Sequence, residues 1–181
     1  MSETFEQYVA RIRSYLGGRQ PLEILTETSH RLQELLAGVP EAKLRERPKP
    51  EKWSVLEQVA HLSDVEIVIG FRTRFVLGAP EGAPIIAFDQ DRWQQTFRYN
   101  DRELAPTLAA FVAARENNLR LYRSLDEAAW NRYGIHSERG KETVRDIVAL
   151  NAGHDVNHLR QIEALVGKAA SAGSHTGGGP G

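Results

Sequence analysis

The sequence predicts an all-α fold, a four-helix bundle with a long connection between its second and third helices. Three observations carry this prediction. Long segments place apolar residues at helical spacing, residues suited to capping stand at their starts, and glycine and proline punctuate the intervals between them. The 181 residues allow one domain of ordinary size with a substantial core, and two full domains would be cramped.

The elements follow in chain order. Phe5 to Leu16 is either a short additional helix or the first part of the next one, interrupted near GGRQP. PLEILTETSHRLQELLAGVP supplies a helix over about 22–37, stopped by Gly38 and Pro40. In KWSVLEQVAHLSDVEIVIGF, Ser54 and Glu57 have the spacing of a capping box and open a helix over about 54–77. GAPEGAPIIAFDQDRWQQTFRYN is too long for a minimal bundle turn, so it is expected to cover one end of the bundle, with a short helix around Trp93. A third long helix is placed at about 102–124, with Asn100 and Glu103 at capping-box spacing. The segment 126–142 is a second covering connection. A fourth helix starts near Thr143 and runs to Gly167; Gly153 inside it costs about 1 kcal/mol of helix propensity relative to alanine. Residues 1–168 form the bundle domain, and 169–181, rich in glycine and small residues, read as a flexible tail in which His175 is a poor ligand candidate.

Hydrophobic residues make up 41% of the chain and charged residues 26%, the mixture of a globular protein rather than a disordered one. A formal charge of -1 advertises no broad nucleic-acid-binding field, so no nucleic-acid partner is expected. The absence of cysteine excludes disulfides, thiolate metal sites and a cysteine nucleophile, leaving any metal to histidine, carboxylate and water. MSETFEQYVA resembles neither a secretory signal nor a membrane span, which makes a cytoplasmic location without membrane association the default.

GHDVNHLRQI places His154 and His158 four residues apart, one turn of helix, where their imidazoles can converge. Solvent-facing pairs and residues packed beside a core share this spacing. The stripe Ile147, Asn151, His154, His158, Ile162 and Leu165 turns both rings toward an apolar face, where two neutral imidazoles on a cation can coexist and two buried cations would be costly. His61, one turn after Glu57 on the Ser54-capped helix, is the third candidate. A tripod of His61, His154 and His158 suits Zn²⁺ or Ni²⁺ and leaves a coordination position for water or substrate.

WSVLEQVAHLSDVE, FDQDRW and GKETVRDIVALNAGHDVNHLRQI together resemble the DinB-like superfamily of four-helix metal-binding proteins, over roughly Leu22 to Leu165. The resemblance implies that one histidine of the second helix and two of the fourth, here His61, His154 and His158, hold a divalent metal. It also implies a range of chemistries: transfer of bacillithiol or other low-molecular-weight thiols, mycothiol-dependent isomerisation and metal-dependent hydrolysis. The expected function is transfer of a small thiol to an electrophilic small-molecule substrate, with the thiol a cosubstrate. A metal-dependent hydrolase is the enzymatic alternative, and a metal-independent binding or structural protein is the alternative of another class. Family members often pair helical subunits, which implies a homodimer.

Four polar residues are candidates for work beside the metal. Glu57 either caps its helix or orients His61, and Asp64, three residues after His61, can approach the site edge. His136 in YGIHSERG occupies a connection that, by the resemblance, often carries a histidine ahead of the last helix. Asn151 stands one turn before His154 and can bond substrate or stabilise the interior. Asp155 points elsewhere around the helix, toward the surface or the site's periphery. His30 reads as an amphipathic helix residue and Gln161 as part of a local polar network. Trp53 reads as a packing anchor and Trp93 as a pocket cover. Arg72, Arg74 and Arg92 suit an acidic thiol cofactor but form no convergent basic motif.

Overall fold

The computed structural model describes residues 3–167. The expected tail over 169–181, with His175, lies outside the described residues, as does the boundary at 168.

Four long helices form the bundle: α2 (Pro21–Leu36), α4 (Val55–Gly78), α6 (Leu104–Arg123) and α8 (Val144–Val166). Three shorter helices precede or join them: α1 (Phe5–Ser14), α3 (Glu41–Arg45) and α5 (Gln90–Thr96). A fourth short helix, α7 (Glu127–Asn131), follows α6. The all-α bundle expected from the sequence is the architecture observed, with the long connection between α4 and α6 and a short helix at Trp93. Around the bundle the long helices pack in the order α2, α8, α4, α6, so that the last of them returns to α2. The first and second long helices therefore lie across a diagonal, and α8 enters between them. That order brings α4 and α8, the two histidine-bearing helices, side by side.

Local chemistry explains the starts of α4 and α8. Ser54 accepts the Glu57 N–H while Glu57 accepts the Ser54 N–H, and Thr143 and Asp146 repeat the reciprocal pair at α8. The box expected from Asn100 and Glu103 does not form. Glu103 is the residue before α6 and makes no side-chain cap, while Asn100 accepts from the Ser54 hydroxyl and donates to the Arg45 carbonyl. A long-range partner outcompetes the local one here.

The two connections are joined in a way that helical periodicity cannot announce. β1 (Ala83–Ile85), from the α4–α6 connection, pairs in parallel with β2 (Tyr133–His136), which pairs antiparallel with β3 (Gly140–Thr143). Gly134 lets β1 approach, because a Cβ there would lie 2.8 Å from the Ala83 carbonyl oxygen. The resulting three-stranded sheet pins both connections to the same end of the bundle. α1 lies against α8. A Cβ on Gly153 would fall 2.2 Å from the Ile12 carbonyl oxygen, so this mid-helix glycine exchanges helix propensity for close approach of the N-terminal helix.

Two apolar clusters fill the bundle. One contains Ile24, Leu25, Val65, Ile69, Ile147 and Val148; the other contains Leu32, Leu56, Val59, Leu62, Phe111 and Ile162. Along α8, His154 and His158 fall between the residues of the two clusters, and on α4 His61 stands where the second cluster gives way to the first.

Candidate metal centre

α4 and α8 bring three imidazoles together in the interior. His61 Nε2 is 3.0 Å from His154 Nε2, and His158 Nε2 is 3.1 Å from His154 Nε2. His154 and His158 share a face because they are one turn apart, and His61 meets them because α4 and α8 are neighbours. Gln58, one turn before His61, offers Oε1 at 3.1 Å to His158 Nδ1. An amide oxygen only accepts, so this contact puts the His158 proton on Nδ1 and leaves its Nε2 as a lone pair facing the other two rings. Trp53 closes the tripod on another side, with its ring centroid 4.9 Å from that of His61 and edge-on to it. Its sequence reading as a packing anchor omitted these rings.

Burial and the neighbouring His154 hold His61 well below the ordinary histidine pKa, and burial with His154 and His61 does the same to His158. His154 is lowered to about 4, chiefly by burial and then by the Arg115 charge, against an opposing influence from Glu66. All three are consequently neutral at neutral pH, the form that ligates metal. Bonds of about 2.0–2.1 Å to a common ion place ligand nitrogens about 3.3 Å apart in a tetrahedral arrangement and about 2.9 Å apart at right angles. The separations of His61 and of His158 from His154 lie between these values, and all three ligand nitrogens fall within 4.8 Å of one another. His61 Nδ1 and His154 Nδ1 are buried without a hydrogen-bond partner. Three histidine nitrogens gathered in this way form a site able to coordinate a divalent metal.

His61 and His154 open onto a cavity of about 670 Å³. Val65, Ile69, Ile147 and Leu150 contribute its apolar wall, and Asn151 and Arg72 are among its polar lining. Residues from α1 and from both connections form the rest of the rim. Pinning of the connections by the sheet thus shapes access to the histidines.

The other candidates lie in different surroundings. Glu57 is fully buried, and its carboxylate accepts from the Ser54 N–H, Arg47 and Gln94. Of the two alternatives for Glu57, the structure shows capping. Asp64 accepts both terminal nitrogens of Arg102 at 2.9 Å and does not line the cavity. His136 is buried at the end of β2; its Nδ1 accepts the Glu138 N–H at 3.2 Å and its Nε2 has no partner. It stands outside the cavity lining. Asn151 lies on the cavity wall beside His154, with Nδ2 donating to Glu66 Oε2 at 3.2 Å and Oδ1 unpartnered.

Several outer positions differ from expectation. Asp155 is buried, not peripheral to the surface: with Glu66 it flanks the fully buried Arg115, at 2.7 and 2.8 Å. Gln161 is exposed and joins no interior network. Trp93 packs between Phe88 and Phe97 in an apolar groove that includes none of the three histidines. Sequence reasoning missed Gln58, Glu66 and Arg115. For Gln58 a signal existed, its position one turn before His61 on the same helix; for Arg115, on the far helix α6, spacing offered none.

A family model described as DinB superfamily matches residues 24–162. A solved structure, YfiT from Bacillus subtilis, described as "a probable metal-dependent hydrolase with an unusual four-helix bundle topology", aligns with a TM-score of 0.73 at 18% identity, covering 93% of this chain and 92% of that one. No curated protein matches the chain.

Proposed function

The chain belongs to the DinB superfamily, and on that footing we propose that it is a metal-dependent enzyme that transfers a low-molecular-weight thiol to a small electrophile held in the 670 Å³ cavity. The observation that supports this reading most is the convergence of three neutral imidazoles, two of which, His61 and His154, line that cavity. Three imidazole donors without thiolate suit Zn²⁺ or Ni²⁺. His61, His154 and His158 would hold such an ion, and it would supply the Lewis acidity that makes a small thiol or water nucleophilic near neutral pH.

The chain's own residues set the rest. Gln58 orients the His158 ring, and Trp53 with the apolar wall keeps bulk water from the histidines. Asn151 lies in the cavity lining with its Nδ2 held by Glu66 and its Oδ1 buried without a partner, so it holds the wall beside His154. Glu57 and Asp64 serve the frame through their arginine partners, and His136 supports the Arg139 and Glu142 side of the rim. In transfer, the thiol sulfur bonds to the electrophilic carbon, its proton leaves with the displaced group, and no oxidant is needed.

Hydrolysis is the second reading, favoured by the description of the structurally similar YfiT. Both are tested on protein of measured metal content, wild type beside a folded His154→Ala variant, against panels of small thiols with electrophiles and of esters and amides. Thiol consumption coupled to adduct formation by the wild type alone supports transfer. Strong metal-dependent hydrolysis without adducts selects the second reading, and a metal-loaded protein with the three imidazoles apart removes both.

The cytoplasm is the proposed location; no described helix is long and apolar enough to cross a membrane. A homodimer is also proposed, supported by the exposed stripe Ile67, Phe71 and Phe75 at four-residue spacing on α4. Sedimentation equilibrium that finds monomer at every concentration excludes it.

A further inference from the structure

Two guanidinium groups line the cavity, and they are in unlike states. Arg139 is engaged by Glu142 through Nε and Nη2, at 2.6 and 3.0 Å. Arg72 is 7% exposed and forms no ion pair among the described residues. Its Nη2 donates to the Ile86 carbonyl, and its guanidinium carbon stands 5.5 Å from the centre of the Phe88 ring. A guanidinium carries five N–H donors, so most of this group's bonding capacity is unmet by a described residue, and Arg72 stands between this cavity and the adjoining groove beside Trp93, lining both. The other buried arginine, Arg115, shows how the fold otherwise treats such a charge, with two carboxylates within 2.8 Å. Burial lowers the Arg72 pKa to about 10, with the Arg139 charge adding to the effect and Glu142 and Glu138 opposing it. The group remains a cation at neutral pH, in surroundings that an arriving anion would relieve.

The position of Arg72 gives the anion a place. His61, Val65, Ile69 and Arg72 line the cavity from one face of α4 over three turns, about 16 Å between the first and last Cα atoms. Both side chains lean back toward the N-terminus of the helix, the longer arginine further than the histidine, which shortens the gap between guanidinium and imidazoles by part of that length. Val65, Ile69 and Ile147 make the stretch between them apolar. Five carboxylates also line the cavity: Glu3 is paired with Arg11, Glu142 with Arg139 and Asp89 caps a helix, while Asp91 and Glu138 add negative charge that disfavours a doubly charged group.

We propose that Arg72 is the receptor for a carboxylate, and that the cavity takes an elongated monocarboxylate whose far end reaches the histidine tripod and whose stem lies on Val65, Ile69 and Ile147. This rests on the reading of the cavity as the substrate site, and it adds the substrate class. One end of the molecule is fixed by charge-assisted hydrogen bonds and the other is presented to the metal ligands.

The test uses the full chain and calorimetry, with 8-mercaptooctanoate and its primary amide as probes of the zinc-loaded protein, and octanoate and octanamide as probes of metal-stripped protein. Each acid is expected to bind about tenfold or more tightly than its amide. Arg72→Gln should abolish that preference, and Arg72→Lys should retain part of it, with thermal melts confirming folding. Acid and amide binding alike to the wild type overturns the proposal without recourse to any variant, and so does a preference that survives in folded Arg72→Gln. An Arg72-dependent preference for octanoate in stripped protein, beside failure to bind zinc, upholds the carboxylate receptor and sinks the metal reading instead. Octylphosphate binding more tightly than octanoate would overturn the assignment to a monocarboxylate.

Discussion

His154 and Asp155 are consecutive in α8, yet they belong to two buried polar clusters of opposite character. Asp155 enters a cluster in which Arg115 meets two carboxylates and the Leu25 carbonyl, while Asn118 and Asn151 complete the bonding of Glu66. Glu66 is held below the usual carboxylate range by this company: burial pushes it up, and the Arg115 charge with the bonds from Arg115, Asn118 and Asn151 more than offsets that. His154 enters a cluster in which three ring nitrogens face each other and two further ring nitrogens lack partners. Desolvated groups that satisfy one another hold a fold together, and desolvated groups that do not are suited to receive something. Arg115 Nε and Asn151 Oδ1 also lack partners, so the contrast lies in charge: the first cluster matches a cation with two carboxylates, and the second gathers three neutral rings with nothing opposite them.

The comparison breaks most visibly if Arg115 is replaced. Arg115→Met leaves Glu66 and Asp155 buried without their countercharge, and the expected loss is about 3–5 kcal/mol of stability, read from urea unfolding. A neutral outcome would mean that the Arg115 cluster does not carry the bundle. The tripod should respond in the other currency. Gln58→Ala removes the partner that sets the His158 tautomer, so zinc affinity should fall about 10- to 100-fold in competition with a chelator, while the stability of the metal-free protein changes little. Unchanged affinity would show that Gln58 does not position the ring.

A smaller effect sharpens the picture outside both clusters. His136 is lowered to about 4, first by burial and then by Arg139 and Arg72, with Glu142 opposing. Its unfolded value is about 6.5, so the unfolded chain takes up the proton first as pH falls. The contribution of neutral His136 is therefore complete above about pH 6.5 and is lost as pH falls toward 4, with a slope of at most about 1.4 kcal/mol per pH unit. Metal-free His136→Gln should show a flatter stability profile across that window, and parallel profiles for the two proteins would contradict the assignment.

The elements of this fold were legible because their determinants are local. Ser54 with Glu57 and Thr143 with Asp146 announce helix starts within three residues, and Gly167 ends α8 with a positive φ. Four-residue spacing put His154 and His158 on one face by itself. Helix order, β-pairing and ion pairing across the core are not local, and there the sequence was silent or pointed elsewhere. Asn100 has the spacing of a cap and finds Ser54 and Arg45 instead. YGIH is too short to declare a strand until Ala83–Ile85 lies beside it.

The sequence alone thus determined where the chain is helical and that two histidines share a helix face, since both follow from a repeat of 3.6 residues. Tertiary structure decided that α8 lies beside α4, which turns that pair into a tripod with His61. It also decided which buried charges are matched, giving Arg115 two carboxylates and Arg72 none. Such pairings join residues tens of positions apart, and no periodicity along one helix specifies what the neighbouring helix will present.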